Sequence, residues 1–112
     1  MLYVKTWVHL IFTTKNRDKL ITKQLKSSLF KHIIDNAKTK KIYIDRINGT
    51  GEHIHILLLM DNELSIAKTS QLIKGESSYW INKNKLSNFK FEWQEEYIAT
   101  SVSESIVPRV RS

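Results

Sequence analysis

At 112 residues the chain has room for one hydrophobic core and not for two. Hydrophobic residues make up 41% and charged residues 26%, a globular balance that excludes a disordered chain, and the lack of cysteine excludes disulfides, thiolate metal sites and a cysteine nucleophile. Eighteen Lys+Arg against eleven Asp+Glu leave a net charge of +7, which favours a polyanionic partner.

No apolar run approaches the roughly 20 residues of a membrane span. The first ten residues carry Lys5 and His9 and no cleavage-type small residues, unlike a signal peptide. The expectation is a single cytoplasmic domain, residues 1–112, with no membrane contact.

In chain order, Tyr3 to Thr13 alternates. Val4, Val8, Leu10 and Phe12 share one parity, and Lys5, Trp7, His9 and Ile11 share the other, as in a strand with one apolar and one mixed face. The polar stretch Thr14-Lys15-Asn16-Arg17-Asp18 is a turn. A helix is predicted from about Thr22, its N-cap, to Lys38. Leu25, Leu29 and Ile33 form one i,i+4 row, and basic residues follow at its dipole's negative end. Ile42 to Ile47 is a second strand, closed by a turn at Asn48-Gly49-Thr50-Gly51. His53 to Met60 is apolar on both faces apart from its histidines, which places it inside a sheet.

After Asp61-Asn62-Glu63, a second helix runs from about Ser65 to Asn84. Its apolar positions are Ile66, Leu72/Ile73 and Tyr79/Trp80, with Tyr79 assigned to core packing. Gly75 weakens its middle. Trp93 to Val102 alternates again, and Glu104 to Arg111 could begin a third helix. The order β-α-β-β-α-β with right-handed crossovers is an α+β, ferredoxin-like fold: a four-stranded antiparallel sheet with both helices on one face and the other face open.

His53-Ile54-His55 is the sharpest chemical feature. Residues two apart in a strand point the same way, so both imidazoles project from one face with their Cα atoms roughly 6–7 Å apart. Two imidazoles so placed can converge on one divalent ion. Parity puts them on the open face beside Trp7 and His9, while Glu52 points to the other face and is a weak third ligand. Two ordinary hydrogen-bonded strand histidines are the alternative. Lys15 and Arg17 suit phosphate contacts at the edge of that face, or belong to a plain solvated loop. Trp7 and Trp93 could stack unpaired bases, although strand tryptophans more often pack in a core. Lys74, Lys38 to Lys41, Lys83 and Lys85 read first as solvated charge.

Gly51-Glu52-His53-Ile54-His55-Ile56-Leu57 resembles the His-hydrophobe-His motif of the small single-tyrosine transposases that move insertion sequences as single-stranded DNA. Three further segments resemble that family in the right order. They are Thr13-Thr14-Lys15-Asn16-Arg17, Leu72-Ile73-Lys74-Gly75-Glu76-Ser77-Ser78, and Trp93-Gln94-Glu95-Glu96-Tyr97 followed by Ser101-Val102-Ser103, with Glu96 where glycine is usual. The resemblance implies that His53 and His55 hold Mg²⁺ or Mn²⁺ against the scissile phosphate of a single DNA strand. It also implies a homodimer that recognises hairpin ends of a mobile element; Lys15, Arg17, Lys74 and Trp7 are the candidate DNA contacts. In that family a tyrosine on a C-terminal helix attacks phosphorus to form a 5′-phosphotyrosine, and a glutamine four residues later completes the metal shell.

None of the four tyrosines here has glutamine at i+4: Tyr3 meets Trp7, Tyr43 meets Ile47, Tyr79 meets Lys83 and Tyr97 meets Ser101. The chain therefore reads as a transposase core cut short before its catalytic helix, with the nucleophile expected beyond Ser112 and no cleavage by this chain alone. Two other readings stay open. One is a non-enzymatic RNA-binding module with the same element order, although the Lys/Arg-Gly-Phe/Tyr signature of such modules is missing. The other is a retired transposase acting as a DNA-binding dimer.

Overall fold

A computed structural model describes residues 6–60 and 64–102. Strand β1 (Thr6–Thr14) leads through a 3₁₀ turn at Lys15–Arg17 into α1 (Lys23–Thr39). Then come β2 (Tyr43–Thr50), β3 (His53–Met60), α2 (Ile66–Lys83) and β4 (Trp93–Val102). The sheet order is β2-β3-β1-β4 with every pairing antiparallel, the predicted α+β architecture. The expectations placed on Tyr3, Val4 and Lys5, on Asp61 to Glu63, on Ser103 and on a helix over Glu104 to Arg111 lie outside the described residues.

Alternation in β1 and β3 decides the layers. Val8, Leu10, Phe12, Ile54, Ile56 and Leu58 are fully buried and pack under Leu25, Leu29 and Ile33 of α1 and Ile73 and Ile81 of α2. Both helices thus cover one face. Their N-caps are ordinary: Thr22 Oγ1 accepts the Leu25 N–H at 3.1 Å and Ser65 Oγ accepts the Lys68 N–H at 3.0 Å. On the opposite face Trp7 packs against Leu57 and Val102, a small apolar cluster at one end. Between the helices His32 stacks on Trp80 with ring centroids 4.1 Å apart and meets Glu76 at 2.5 Å, which ties α1 to α2.

Two expectations change. The Asn48-Gly49 pair is not the hairpin turn. β2 continues through it, pairing Asn48 with His55, Gly49 with Ile54 and Thr50 with His53. The turn is the two residues Gly51-Glu52, with Gly51 at φ 58°, as the mirror-image hairpin turns require. Gly49 serves instead for close approach, since a Cβ there would lie 2.3 Å from the His53 carbonyl oxygen. A bulge between Ile44 and Arg46 shifts the parity of β2, setting Ile47 opposite Ile56.

Tyr79 is exposed rather than core. The buried row of α2 is Thr69/Ser70, Ile73, Ser77 and Ile81, and Tyr79 is out of phase with it. Small residues in that row let the helix sit close to the sheet. Trp93 takes the commoner of its two readings, packed in the core rather than stacking bases: its indole N–H donates to Ser77 Oγ at 3.0 Å and its ring packs edge-on against Phe91.

Candidate metal and nucleic-acid site

β3 projects His53 and His55 from the open face, half-buried, with ring centroids 4.9 Å apart. The strand is internal, so its position is fixed by neighbours on both sides. Thr13 and Ile11 of β1 stand opposite His53 and His55 on one side, and Thr50 and Asn48 of β2 on the other. His9 extends the row: its ring stacks on His55 at 5.6 Å, 13° from parallel. Burial pushes the His55 pKa below the ordinary histidine range, and the neighbouring His53 and then His9 add to that depression. The neutral, metal-ligating form of His55 is the one its surroundings favour. The fourth histidine, His32, lies in the helical layer.

The histidines form one wall of an open cleft of about 730 Å³, whose lining includes Arg17, Gln94, Glu96 and Ile98. Two local features bring these side chains in. Between Trp93 and Tyr97, β4 carries extra residues relative to β1, whose Phe12 pairs with Tyr97 and Thr14 with Trp93. The two extra residues leave the alternation intact, so Gln94 and Glu96 share the cleft face with Ile98. On the other side, Asn16 and Arg17 adopt φ of 59° and 56°, a left-handed conformation uncommon for residues with side chains. The Thr14 hydroxyl steadies that turn by donating to the Asp18 carbonyl at 2.6 Å, and the Thr14 N–H donates to the Glu52 carbonyl at 2.7 Å. Arg17 then reaches the hairpin turn, donating from Nε and Nη2 to Glu52 Oε1 at 3.1 and 2.9 Å. Glu52 therefore holds Arg17 and is not turned to a metal.

The predicted site residues fall in three places. His53, His55 and Arg17 share the cleft. Lys15 is not among the cleft's lining residues; it pairs with Glu92 at 3.3 Å and lines a separate cleft. Lys74 lies on the helix side of β4. It donates to the Glu95 carbonyl at 2.7 Å, lies 5.8 Å from the Tyr97 ring, and is pushed to a lower pKa by burial against the opposing pull of Glu95. It lines a separate cleft of about 440 Å³ with Lys15 and Gly75. Trp7 stands opposite Leu59, at the other end of the sheet from His53. Sequence spacing did not single out Gln94, Glu96 or Asn48. The only available hint was Glu96, where the resemblance expects glycine.

The donor set suits a loosely held divalent ion. Two imidazoles stand side by side on a rigid strand, and among the described residues no group of three His, Cys, Asp or Glu could enclose a metal. Coordination from the protein would come from nitrogen alone, with the remaining positions open to water and phosphate oxygens. Such a set accepts Mn²⁺ more readily than Mg²⁺, which strongly prefers oxygen.

The fold thus presents a paired-histidine strand to an open cleft that also takes in an arginine. Residues 3–112 match the family of IS200-like transposases, and the chain belongs to that family. Among solved structures, a protein of Deinococcus radiodurans R1 assigned as a transposase superposes with a TM-score of 0.79 at 19% identity, covering 96% of this chain and 86% of that one. A REP-associated tyrosine transposase bound to a REP hairpin superposes with a TM-score of 0.66 at 18% identity, covering 98% of this chain. This chain spans 64% of that second protein's length. No curated protein sequence matches it significantly. Among the described residues, no helix is long and apolar enough to cross a membrane.

Proposed function

We propose that this chain binds single-stranded DNA at the hairpin ends of a mobile element, as a homodimer, and supplies the cation-binding part of a transposase cleavage site. The observation that carries this reading is the placement of His53 and His55, half-exposed and adjacent, in a cleft that also takes in Arg17. Family membership supports the transposition chemistry, and the hairpin carried by one structural neighbour supports the DNA partner.

In this reading His53 and His55 donate nitrogen lone pairs to Mg²⁺ or Mn²⁺. A divalent ion bound there supplies Lewis-acid polarisation of a phosphoryl oxygen. Arg17 gives a positive fork for the DNA backbone, and Lys15, two residues before it in the same turn, adds charge. Gln94 and Glu96 shape the wall opposite the histidines. Because no tyrosine in these 112 residues has glutamine at i+4, the chain on its own is proposed to bind DNA without forming a covalent link to it.

The test is a Mn²⁺ titration followed by electron paramagnetic resonance, with and without a hairpin oligonucleotide. Weak binding that tightens with DNA and disappears in the His53→Ala/His55→Ala double variant, with its circular dichroism unchanged, is expected. Undiminished Mn²⁺ binding by the double variant would overturn the metal assignment. A covalent protein–DNA adduct on a denaturing gel would overturn the second half.

A further inference from the structure

We infer that the segment joining α2 to β4 is a second DNA contact, a nucleotide-sized cleft in which Phe89 stacks on an unpaired base and nearby lysines meet the flanking phosphates. Phe89 is 73% exposed, the most open large apolar side chain among the described residues, whereas Phe91 two residues on is fully buried. An aromatic ring left in water on a fixed frame is a stacking platform waiting for a partner.

The frame is fixed. Asn82 clamps the far end of the loop, its Nδ2 donating to the Phe91 carbonyl at 2.9 Å and its Oδ1 accepting the Phe91 N–H at 2.8 Å. The Leu86 N–H donates to the Ile81 carbonyl at 3.0 Å, closing the end of α2. Between these clamps lies a cleft of about 430 Å³, lined by Asn82, Lys85, Asn88, Phe89 and Lys90 among others. Its size suits one nucleotide, and the Asn88 amide in its lining can meet a base edge.

The charge is one-sided. Lys83, Lys85 and Lys90 fall in a stretch with no Asp or Glu between Glu76 and Glu92. Such lysines around an exposed aromatic complement a polyanion with unpaired bases better than an apolar or basic protein face. The loop is also tied to the Lys15–Arg17 turn. The Lys15 N–H donates to the Glu92 carbonyl at 2.9 Å, and the Glu92 carboxylate lies 3.3 Å from Lys15 and 3.2 Å from Lys90. Glu92 thus joins the foot of the Phe89 loop to the turn that carries Arg17.

The inference rests on the proposed DNA binding for the identity of the polymer. Its test is fluorescence anisotropy with a hairpin carrying a single-stranded extension and with the same hairpin trimmed blunt. Phe89→Ala is expected to weaken the extended hairpin roughly tenfold and leave the blunt one unchanged, with Phe89→Trp restoring affinity. A 2-aminopurine in the extension is expected to be quenched by the native protein and not by Phe89→Ala. If Phe89→Ala binds as the native protein does while Arg17→Ala binds more weakly, the second contact is overturned and the DNA reading stands. An effect of Phe89→Ala on self-association alone, seen by sedimentation, also overturns it. If the native protein binds neither hairpin, both fall.

Discussion

His9 of β1 lies stacked on His55 of β3, their rings 5.6 Å apart and nearly parallel. The stack extends the motif pair to a row of three imidazoles, with His55 in contact with both of the others. His55 is held below the ordinary histidine range by burial first, then by His53, then by His9. The neutral ring is the folded state's preference, so its contribution to stability is complete above the unfolded histidine pKa. That contribution is lost as pH falls from there through the depressed folded value. His9→Asn removes one of the two neighbouring charges, so the His55 titration is expected to move upward towards the ordinary range. Proton NMR of the metal-free protein measures it, and an unmoved His55 titration would show that the stack carries no coupling.

Gly49 and Gly75 make a paired prediction. A Cβ on Gly49 would fall 2.3 Å from the His53 carbonyl oxygen and 2.6 Å from Ile54 Cα, both backbone atoms that cannot step aside. Gly49→Ala is therefore expected to destabilise the protein by about 2–3 kcal/mol, the scale of an overpacked site. Gly75 is mid-helix with nothing within 4 Å of such an atom, and Gly75→Ala is expected to stabilise by about 0.5–1 kcal/mol. Urea denaturation of both variants checks the contrast. Equal effects would mean that Gly49 is not the close-approach position.

The same glycine shows where sequence patterns stop being sufficient. β3 and β4 are legible from alternation to the residue, and the caps Thr22 and Ser65 are legible from hydroxyl-then-apolar periodicity. Asn48-Gly49 misleads because it is a turn dipeptide by propensity, yet here the glycine is needed inside the strand, opposite Ile54, where a Cβ would strike the His53 carbonyl. α2 misleads because its buried row uses Thr69, Ser70 and Ser77, which a hydrophobic pattern passes over in favour of Tyr79. The histidine pair was legible because spacing of two in a strand fixes a shared face. Gln94 and Glu96 share the parity of Ile98, so alternation gives their face, but it does not show that β4 stands close enough for them to line the histidine cleft.

Ser77 and Trp93 join α2 to β4 inside the core. The Ser77 hydroxyl accepts the indole N–H at 3.0 Å while donating to the Ile73 carbonyl at 2.7 Å, with Ser77 only 1% exposed. Ser77→Ala leaves a buried donor unpaired and is expected to cost about 1–3 kcal/mol. Trp93→Phe removes that donor along with ring volume. The double variant is therefore expected to lose less than the sum of the two single losses. Thermal or urea unfolding of the three variants measures the cycle, and strict additivity would mean that the hydrogen bond contributes nothing.

Arg17 is the prediction that bears most directly on DNA. Its guanidinium is 72% exposed at the cleft rim, yet two of its N–H groups are spent on Glu52 Oε1, so phosphate and carboxylate compete for the same fork. The pair itself adds little stability, within about 1 kcal/mol, because so exposed an ion pair is screened by solvent. If the fork meets DNA, Arg17→Ala is expected to flatten the dependence of log affinity on log salt by about one. Glu52→Gln removes the competing anion and is expected to tighten binding without changing the melting temperature by more than a few degrees. Anisotropy of a single-stranded oligonucleotide across a range of NaCl concentrations measures both. A salt slope unchanged in Arg17→Ala would mean that the arginine belongs to Glu52 alone and that the backbone is held by Lys15 or the lysines beyond it.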